Sequence, residues 1–337
     1  MAKRWGMRML SRSMLYDILY ALAARDGREK ALFGGCQPLA REAFERSLAC
    51  NAFPELWFEL PLAGEPWFDL HALTARADVE PGMPFEPQTT GGNPEAFSWF
   101  AAQGKSVRQL ALSWDVSSGD IERPAVQLLV ARDDPDATCG FLEAVGRPDA
   151  GDAYRAFWKR QPDGWFACYA GVFPRRPGHN LRVECIPPSA LQRAYAEDAG
   201  LLETHLRQMG VDATEDLVSA CRVLADTPFQ MEFQFDVEPD GTAGPTFGAS
   251  VRFSSSSEAE ESKPFATDGA TERLMKQVEA WGLADSRWRW LPECSFAKSV
   301  SFGGECALLY CYPAFVKLRW CGGVPLDAKT YLIAGVQ

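Results

Sequence analysis

The sequence contains little of what a metal centre or a nucleic-acid interface requires. Of its 337 residues only 3 are histidines (His71, His179 and His205), and its 10 cysteines include no Cys-x-x-Cys pair. A zinc site made of Cys and His needs closely spaced pairs of such ligands. The formal net charge is -11 without a long basic run, whereas nucleic acid is bound by clustered cations. We therefore expect neither a metal site nor a nucleic-acid partner.

Long apolar runs are also missing. A membrane-spanning helix needs about 20 predominantly apolar residues in succession, and no segment approaches that length. A basic N-terminus precedes a short apolar stretch, but Asp17 interrupts it and no small-residue cleavage site follows cleanly. Leu15, Ile18 and Leu22 have helical spacing instead. We expect a cytoplasmic protein with no membrane partner, whose scattered cysteines are small core residues.

Familiar catalytic motifs are absent too. The chain has no nucleophile elbow, Walker loop, dinucleotide fingerprint or His-Glu-x-x-His helix. Its apolar content of 47% is ordinary, but aromatic residues reach 12% and include 11 Trp and 21 Phe. A core seldom needs that many tryptophans, so some of them are expected to line a ligand surface.

Helix start and stop signals and turn residues divide the chain into five successive units, each a helical stretch followed by two strands, with one extra strand near the C-terminus. The predicted helices cover 38–50, 93–104, 141–159 with a break near Pro148, 189–209, 214–225 and 271–281. The predicted strands cover 56–60, 67–73, 107–115, 125–132, 165–173, 180–186, 229–237, 246–254, 296–302, 308–320 and 326–334. Residues 1–37 are predicted to be an N-terminal helical segment, and residues 38–337 a single domain.

These units predict an α+β fold. About ten consecutive antiparallel strands, with helices inserted after each pair, can close into a barrel ringed by helices. An open layered sheet is the alternative. Pro313 is expected to break or bulge its strand, because proline cannot donate a ladder hydrogen bond. The polar segment 254–263 is predicted to be a solvated connector.

Strand side chains alternate between two faces, and the apolar face should lie under the helices. The opposite face would then carry Trp57, Glu59, Trp67, Asp69, His71, Gln109, Ser113, Asp115, Gln127, Trp165, Tyr169, Arg182, Glu184, Gln230, Glu232, Gln234, Ser250, Arg252, Phe315, Lys317, Arg319, Lys329 and Tyr331. In a closed barrel of about ten strands this face surrounds a cavity wide enough for a ligand. In an open sheet it would simply be solvated.

Three kinds of side chain on this face suggest chemistry. Cations with a nearby tyrosine suit a polyphosphate; they are Arg182, Arg252, Lys317, Arg319 and Lys329, with Tyr331. An aromatic wall able to stabilise a carbocation would come from Trp57, Trp67, Trp165 and Tyr169. The carboxylates are Glu59, Asp69, Asp115, Glu184 and Glu232. Most should pair with a cation, while Glu59 or Asp69, near the aromatic wall, could take a proton from an acceptor.

The repeated helix-strand-strand units, the aromatic and cationic lumen and the strand sequence Lys329-Thr330-Tyr331 resemble the ABBA aromatic prenyltransferases. The resemblance covers most of residues 38–334 and is mainly topological. It implies a ten-stranded barrel, an allylic diphosphate held by inward Arg, Lys and Tyr residues, an early-strand glutamate as base, and no required cofactor, although Mg²⁺ is compatible. Cys321 stands where a tyrosine would complete Lys317-Leu318-Arg319, and Glu184 rather than tyrosine follows Arg182.

Two functions of different classes are consistent with these patterns. The first is an enzyme that transfers a prenyl group from an allylic diphosphate to an aromatic or peptide acceptor. The alternative is a non-catalytic barrel that binds a ligand or a peptide, and the number of carboxylates favours it. A purely structural role in an assembly is a third hypothesis, with less to support it. Whether the cations converge in one pocket discriminates between the first two.

Overall fold

The structure is a computed structural model that describes residues 12–46, 55–76, 79, 81–104, 106–119, 121–131, 133–174, 181–253, 269–302 and 305–336. The polar segment 254–263 and the predicted helix end at 47–50 lie outside these residues, as does His179. Within the described part of the chain, no helix combines the length and the apolar character needed to cross a membrane.

The helices begin and end near the capping signals. They are α1 (Arg12–Ala24), α2 (Gln37–Glu45), α3 (Pro94–Ala102), α4 (Pro135–Ala144), α5 (Pro148–Arg160), α6 (Ser189–Glu197), α7 (Ala199–Met209), α8 (Glu215–Ala225) and α9 (Ala270–Ala280). Thr214 caps α8 by accepting the Leu217 backbone N–H. A 3₁₀ helix at Ser286–Cys294, which we did not predict, precedes the last three strands.

In the described part of the chain, eleven strands form one antiparallel sheet. They are β1 (Glu55–Pro61), β2 (Asp69–Ala75), β3 (Val107–Trp114), β4 (Ala125–Val130), β5 (Phe166–Val172), β6 (Leu181–Ile186), β7 (Gln230–Val237), β8 (Ala243–Arg252), β9 (Phe296–Phe302), β10 (Glu305–Cys321) and β11 (Val324–Val336). Neighbours in sequence pair from β1 to β8, as the repeated units predict.

The sheet closes into a barrel of ten strands, which confirms the predicted fold class. Closure occurs where β11 pairs with both β1 and β10, with Leu56 opposite Ala334 and Lys317 opposite Lys329. The extra strand is β9: the first part of the long β10 pairs with β9 and the second part with β8. The predicted irregularity at Pro313 is confirmed as a register shift between Pro313 and Phe315.

The main core lies between the barrel and its helices. Leu56, Phe58 and Leu60 point to this side and are fully buried, which agrees with the alternation in the sequence. The ring of Phe58 packs edge-on against Phe68 at a centroid distance of 5.5 Å, and Tyr20 of α1 packs against both. Burying one such side chain contributes roughly 1.5–3 kcal/mol, so this layer holds helices and barrel together and leaves the other strand face to the lumen.

One predicted helix is two helices, and the predicted break in another, near Pro148, is confirmed. The stretch 189–209 divides at Asp198, whose carboxylate accepts the Leu201 backbone N–H at 3.0 Å and caps α7. Aspartate favours such local bonds over a place inside a helix. The stretch 141–159 divides before Pro148, which lacks an N–H and starts α5. Its first half begins earlier than we predicted, at Pro135 behind an Asp134 cap.

Candidate functional site

The barrel lumen contains a cavity of about 180 Å³. Its wall is formed by strand side chains that point away from the helices, and it mixes aromatic, amide and charged groups. An engineered cavity of about 150 Å³ is large enough to admit benzene. The lumen therefore has room for one small organic molecule.

The predicted lumen face is largely confirmed. Of the residues proposed to bind substrate or take a proton, those that line the cavity are Trp57, Glu59, Tyr169, Arg182, Arg252, Lys317 and Tyr331. Alternation found the residues on β1, β6, β8, β10 and β11 because these strands keep a regular pleat where the residues lie. Tyr169 lies on β5, directly after an irregularity in the pairing of that strand. Arg182, Arg252 and Lys317 therefore converge on one cavity, as expected.

Trp165 was predicted to line the lumen, and this prediction is wrong. Its ring stacks on Phe233 at a centroid distance of 5.0 Å, and its indole N–H donates to the Tyr195 hydroxyl at 2.9 Å, both in the outer core. The cause is a β-bulge in β5, where Ala167 pairs with Cys185 but Tyr169 pairs with the next residue, Glu184. One extra residue inverts the faces on either side of it.

The same bulge accounts for lumen residues that we missed. Phe166 and Cys168 line the cavity, although the alternation we extended through β5 places them outside. A bulge is set by the neighbouring strands, so local alternation carried no signal for it. Asp236 was also missed: it lies on the lumen face and accepts a 2.7 Å hydrogen bond from Nε of Arg182.

One side of the lumen, which we call the Glu59 wall, consists of Glu59, His71, Ser113, Lys329 and Tyr331. Nζ of Lys329 lies 2.5 Å from one Glu59 oxygen, and Nε2 of His71 lies 3.1 Å from the other. Nδ1 of His71 is 2.5 Å from the Ser113 hydroxyl. Burial acts to raise the pKa of Glu59, but Lys329 and His71 hold it well below its usual value. Glu59 is therefore an ionised and fully paired carboxylate.

Lys317 adjoins this wall. Its Nζ donates to the Tyr331 hydroxyl at 2.8 Å and to Oε1 of Gln234 at 3.4 Å. Burial lowers the pKa of Lys317, while the charges of Glu184 and Glu59 oppose that change. The pKa of Tyr331 is raised by burial and then by the nearby Glu59 charge, so its hydroxyl keeps its proton and acts as a neutral hydrogen-bonding group.

The remaining predicted site residues lie beside the cavity rather than on it. Asp69 accepts hydrogen bonds from the backbone N–H (3.3 Å) and hydroxyl (3.2 Å) of Ser117. Burial, followed by the Glu59 charge, raises the pKa of Asp69 to about 7. Arg319 is bound bidentately by Asp327. Lys329 lies over the Trp67 ring, 4.8 Å from its centre, so Trp67 belongs to this paired cluster instead of an aromatic cavity wall.

A second group, which we call the Glu232 wall, consists of Glu184, Glu232, Ser250 and Arg252 on β6, β7 and β8. Glu232 is only 7% exposed, and within the residues that the structure describes neither it nor Glu184 has a side-chain hydrogen bond or ion pair. We expected these carboxylates to pair with cations, and here they do not. Burial, followed by the Glu184 charge, raises the pKa of Glu232 to about 7.

Arg252 is the cation of this wall. Its guanidinium lies over the Phe315 ring at 4.5 Å from the ring centre, and its buried Nε has no hydrogen-bond partner. No carboxylate lies within ion-pair distance of it in the described part of the chain. The guanidinium is therefore held against an aromatic face, and as part of the cavity wall it is available to a bound molecule.

No model of a known protein family matches this sequence, and no curated protein is significantly similar to it. The resemblance to ABBA prenyltransferases therefore rests on topology and on the lumen alone. Among the described residues, no group of three or more His, Cys, Asp or Glu side chains could hold a metal ion. The arrangement offers hydrogen bonds, unpaired charges and ring faces to an organic molecule.

Proposed function

We propose that this protein binds one small polar organic molecule inside its barrel. The observation that carries the proposal is a set of buried polar side chains that face one cavity without a partner. Gln127, Glu232 and Ser250 are 5%, 7% and 2% exposed and line the lumen, and none has a hydrogen bond within the described residues. Buried polar groups are nearly always hydrogen-bonded, and a molecule in the cavity can supply the partners that the described side chains do not.

The charges favour a binding role over diphosphate chemistry. A diphosphate is strongly anionic and needs cations that are not already neutralised. Arg182, Arg319 and Lys329 each lie at ion-pair distance from a carboxylate. Arg108, Arg252 and Lys317 line the cavity without an ion pair among the described residues. The unpaired carboxylates of Glu184 and Glu232 stand on the same wall as Arg252 and offset part of this positive charge. Such a site suits a ligand that is not a polyanion.

Prenyl transfer is the second candidate, and two observations support it. One is the closed barrel of ten strands built from helix-strand-strand units. The other is the contact between Lys317 and Tyr331 on strands that also carry Phe315 and adjoin Trp57. In this proposal Lys317, Arg252 and Tyr331 hold the diphosphate as its C–O bond breaks, with or without Mg²⁺. The rings shield the allylic cation from water.

The acceptor, aromatic or peptidic, then forms the new bond to the allylic carbon and loses a proton to a base. A base works best when its pKa is near the working pH. Asp69, with a pKa of about 7, meets this condition better than Glu59, whose pKa is well below its usual value. Glu59, however, is the one of the two that lines the cavity. In this proposal Glu59 therefore takes the proton from the acceptor and passes it to Asp69.

A titration separates the two candidates. Dimethylallyl and geranyl diphosphate, with and without Mg²⁺, are titrated calorimetrically into the wild type and into Lys317→Met, with the surface change Lys276→Met as control. The binding role predicts no heat that depends on Lys317. Prenyl transfer predicts binding that Lys317→Met weakens roughly tenfold or more. It also predicts that Glu59→Gln keeps diphosphate affinity but lowers turnover roughly 10²–10⁴-fold. Prenylated product with the wild type would overturn a purely binding role.

We keep a cytoplasmic location as a prediction. It is supported by the cysteines that the structure describes, all of which are free, as expected in a reducing compartment.

A further inference from the structure

We infer that the molecule bound in the lumen carries an organic cation, an ammonium or a guanidinium group, which sits between Glu184 and Glu232. This inference rests on the proposed binding role of the lumen and goes beyond it by naming the class of ligand. It follows from three features of the Glu232 wall: the placement of its carboxylates, their lack of partners, and the groups around them.

The two carboxylates lie close together and face the same space. Glu184 pairs with Gln234 across β6 and β7, and Glu232 is two residues from Gln234 on the same strand face. Such diagonal neighbours have Cβ atoms roughly 7–8 Å apart or somewhat less. Both side chains line the cavity. A cation between them would therefore contact both at hydrogen-bond distance.

Neither Glu184 nor Glu232 forms an ion pair with a described side chain, although other carboxylates of the barrel do. Glu59 has Lys329, Asp236 has Arg182 and Asp327 has Arg319. The nearest lumen cations, Arg252 and Lys317, act on Glu232 through their charge but form no ion pair with it among the described residues. Lys317 instead donates to Tyr331 and Gln234. Arg252 lies over the Phe315 ring.

An unpartnered hydroxyl beside the pair gives a second, independent indication of a ligand. The hydroxyl of Ser250, which lies opposite Glu232 across β7 and β8, is 2% exposed and has no hydrogen-bond partner in the described structure. Tyr169 lies opposite Glu184 across β5 and β6 and lines the same cavity. Carboxylates, a hydroxyl and an aromatic face are the groups that bind organic cations.

The occupant is an organic cation rather than a metal ion. Two carboxylates give too few ligands for Ca²⁺ or Mg²⁺, which require about six oxygens around them, and no larger group of metal-binding side chains is found among the described residues. The volume of about 180 Å³ instead suits a ring or a short chain that carries one amine or amidine.

Three probes of similar shape test the inference: benzylamine, benzyl alcohol and benzoate, titrated calorimetrically into the full-length protein at pH 8. We expect benzylamine to bind the wild type at least tenfold more tightly than benzyl alcohol. Glu184→Gln and Glu232→Gln keep the shape but remove the charge, so each should remove most of that preference. Glu203→Gln, the same change on the exposed face of α7, should leave it intact, and unchanged unfolding midpoints verify that each variant is folded.

The outcomes separate the inference from the function on which it rests. If benzyl alcohol or benzoate binds the wild type as tightly as benzylamine, the lumen binds ligands but the cation inference is wrong. If the amine preference survives both glutamate variants, the cation binds elsewhere and the site assignment is wrong. If none of the three probes binds, both the inference and the binding role are contradicted.

Discussion

Glu59 and Glu232 are both carboxylates on the lumen face of one barrel, and each is little exposed, the Glu59 side chain at 13% and Glu232 at 7%, yet their surroundings differ. Glu59 contacts Lys329 and His71, and its pKa lies well below the usual value. Glu232 has no such contact within the described residues, and burial next to Glu184 raises its pKa to about 7. The same side chain is thus a structural ion pair on one wall and an unsatisfied group on the other.

The difference shows how a barrel interior can serve structure and ligand binding at the same time. On the Glu59 wall the ion pair joins β1 to β11, the two strands whose pairing closes the barrel. A buried charge without a partner is costly, so the Glu232 wall lowers the stability of the empty protein. A molecule that supplies the missing partners recovers that energy on binding, which is why we assign ligand recognition to the Glu232 wall.

The largest expected effect comes from breaking the pair on the Glu59 wall. Lys329→Met leaves Glu59 buried without its main partner, and breaking a buried pair in this way costs about 3–5 kcal/mol of unfolding free energy. Urea denaturation at pH 7 measures it. Lys276→Met is the matched control, because Lys276 forms an exposed pair with Glu272 on α9 that should contribute at most about 1 kcal/mol. Equal losses in the two variants would contradict the structural role of the Glu59 wall.

A second, smaller effect should have opposite signs on the two walls. The folded-state pKa of Glu232 is raised to about 7 from an ordinary value of 4.5, so the folded protein loses stability as the pH rises between these values, and the full cost is present above pH 7. Glu232→Gln removes this cost and should stabilise the protein at pH 8 by up to about 3 kcal/mol, with no gain below pH 4. Glu184, Arg252, Lys317 and Cys168 are the charged or titratable groups that face it.

Glu59→Gln is the counterpart. Because its folded-state pKa is lowered, the ionised Glu59 stabilises the protein above its ordinary pKa, and this contribution disappears as the pH falls through the lowered value. The substitution should therefore destabilise the protein at pH 8. Chemical denaturation of both variants from pH 4 to pH 9 gives the two signs. If both substitutions change stability in the same direction at pH 8, the contrast between the walls is wrong.

Alternation was sufficient to predict the barrel and most of its lumen. In β7, with the sequence Gln-Met-Glu-Phe-Gln-Phe-Asp-Val, apolar residues alternate with polar ones so regularly that the face of Glu232 follows directly. The sequence does not show where a bulge exchanges the lumen-facing and outward-facing positions of a strand. The bulge in β5 depends on how that strand pairs with β6, and it moved Trp165 from the lumen to the outer core.

The pairing of charges was also beyond the sequence. Glu59 and Lys329 are 270 positions apart and meet only because β11 closes the barrel against β1. A list of lumen carboxylates and cations does not say which of them neutralise each other, since that depends on strand register and on side-chain reach. For the same reason we expected Glu184 and Glu232 to be paired, and the most informative feature of the site emerged only from the structure.

The smallest expected effect comes from a matched pair of serine substitutions, one on each wall. Ser113 and Ser250 are both buried, with 5% and 2% exposure. Among the described residues Ser113 has a partner, Nδ1 of His71 at 2.5 Å, and Ser250 has none. Ser113→Ala leaves that nitrogen unsatisfied and should cost about 1 kcal/mol or somewhat more. Ser250→Ala removes a hydroxyl that has no hydrogen-bond partner among the described residues, so the stability of the empty protein should be unchanged or higher by a few tenths of a kcal/mol.

For ligand binding, Ser250→Ala should have the larger effect of the two substitutions. It should weaken benzylamine binding by up to about tenfold, and Ser113→Ala should leave that binding nearly unchanged. Urea midpoints and calorimetric titration of both variants measure the two quantities. A loss of stability in Ser250→Ala as large as that in Ser113→Ala would mean that the hydroxyl of Ser250 has a structural partner after all. The hydroxyl of Ser250 would then no longer count as a group that the Glu232 wall offers to a ligand.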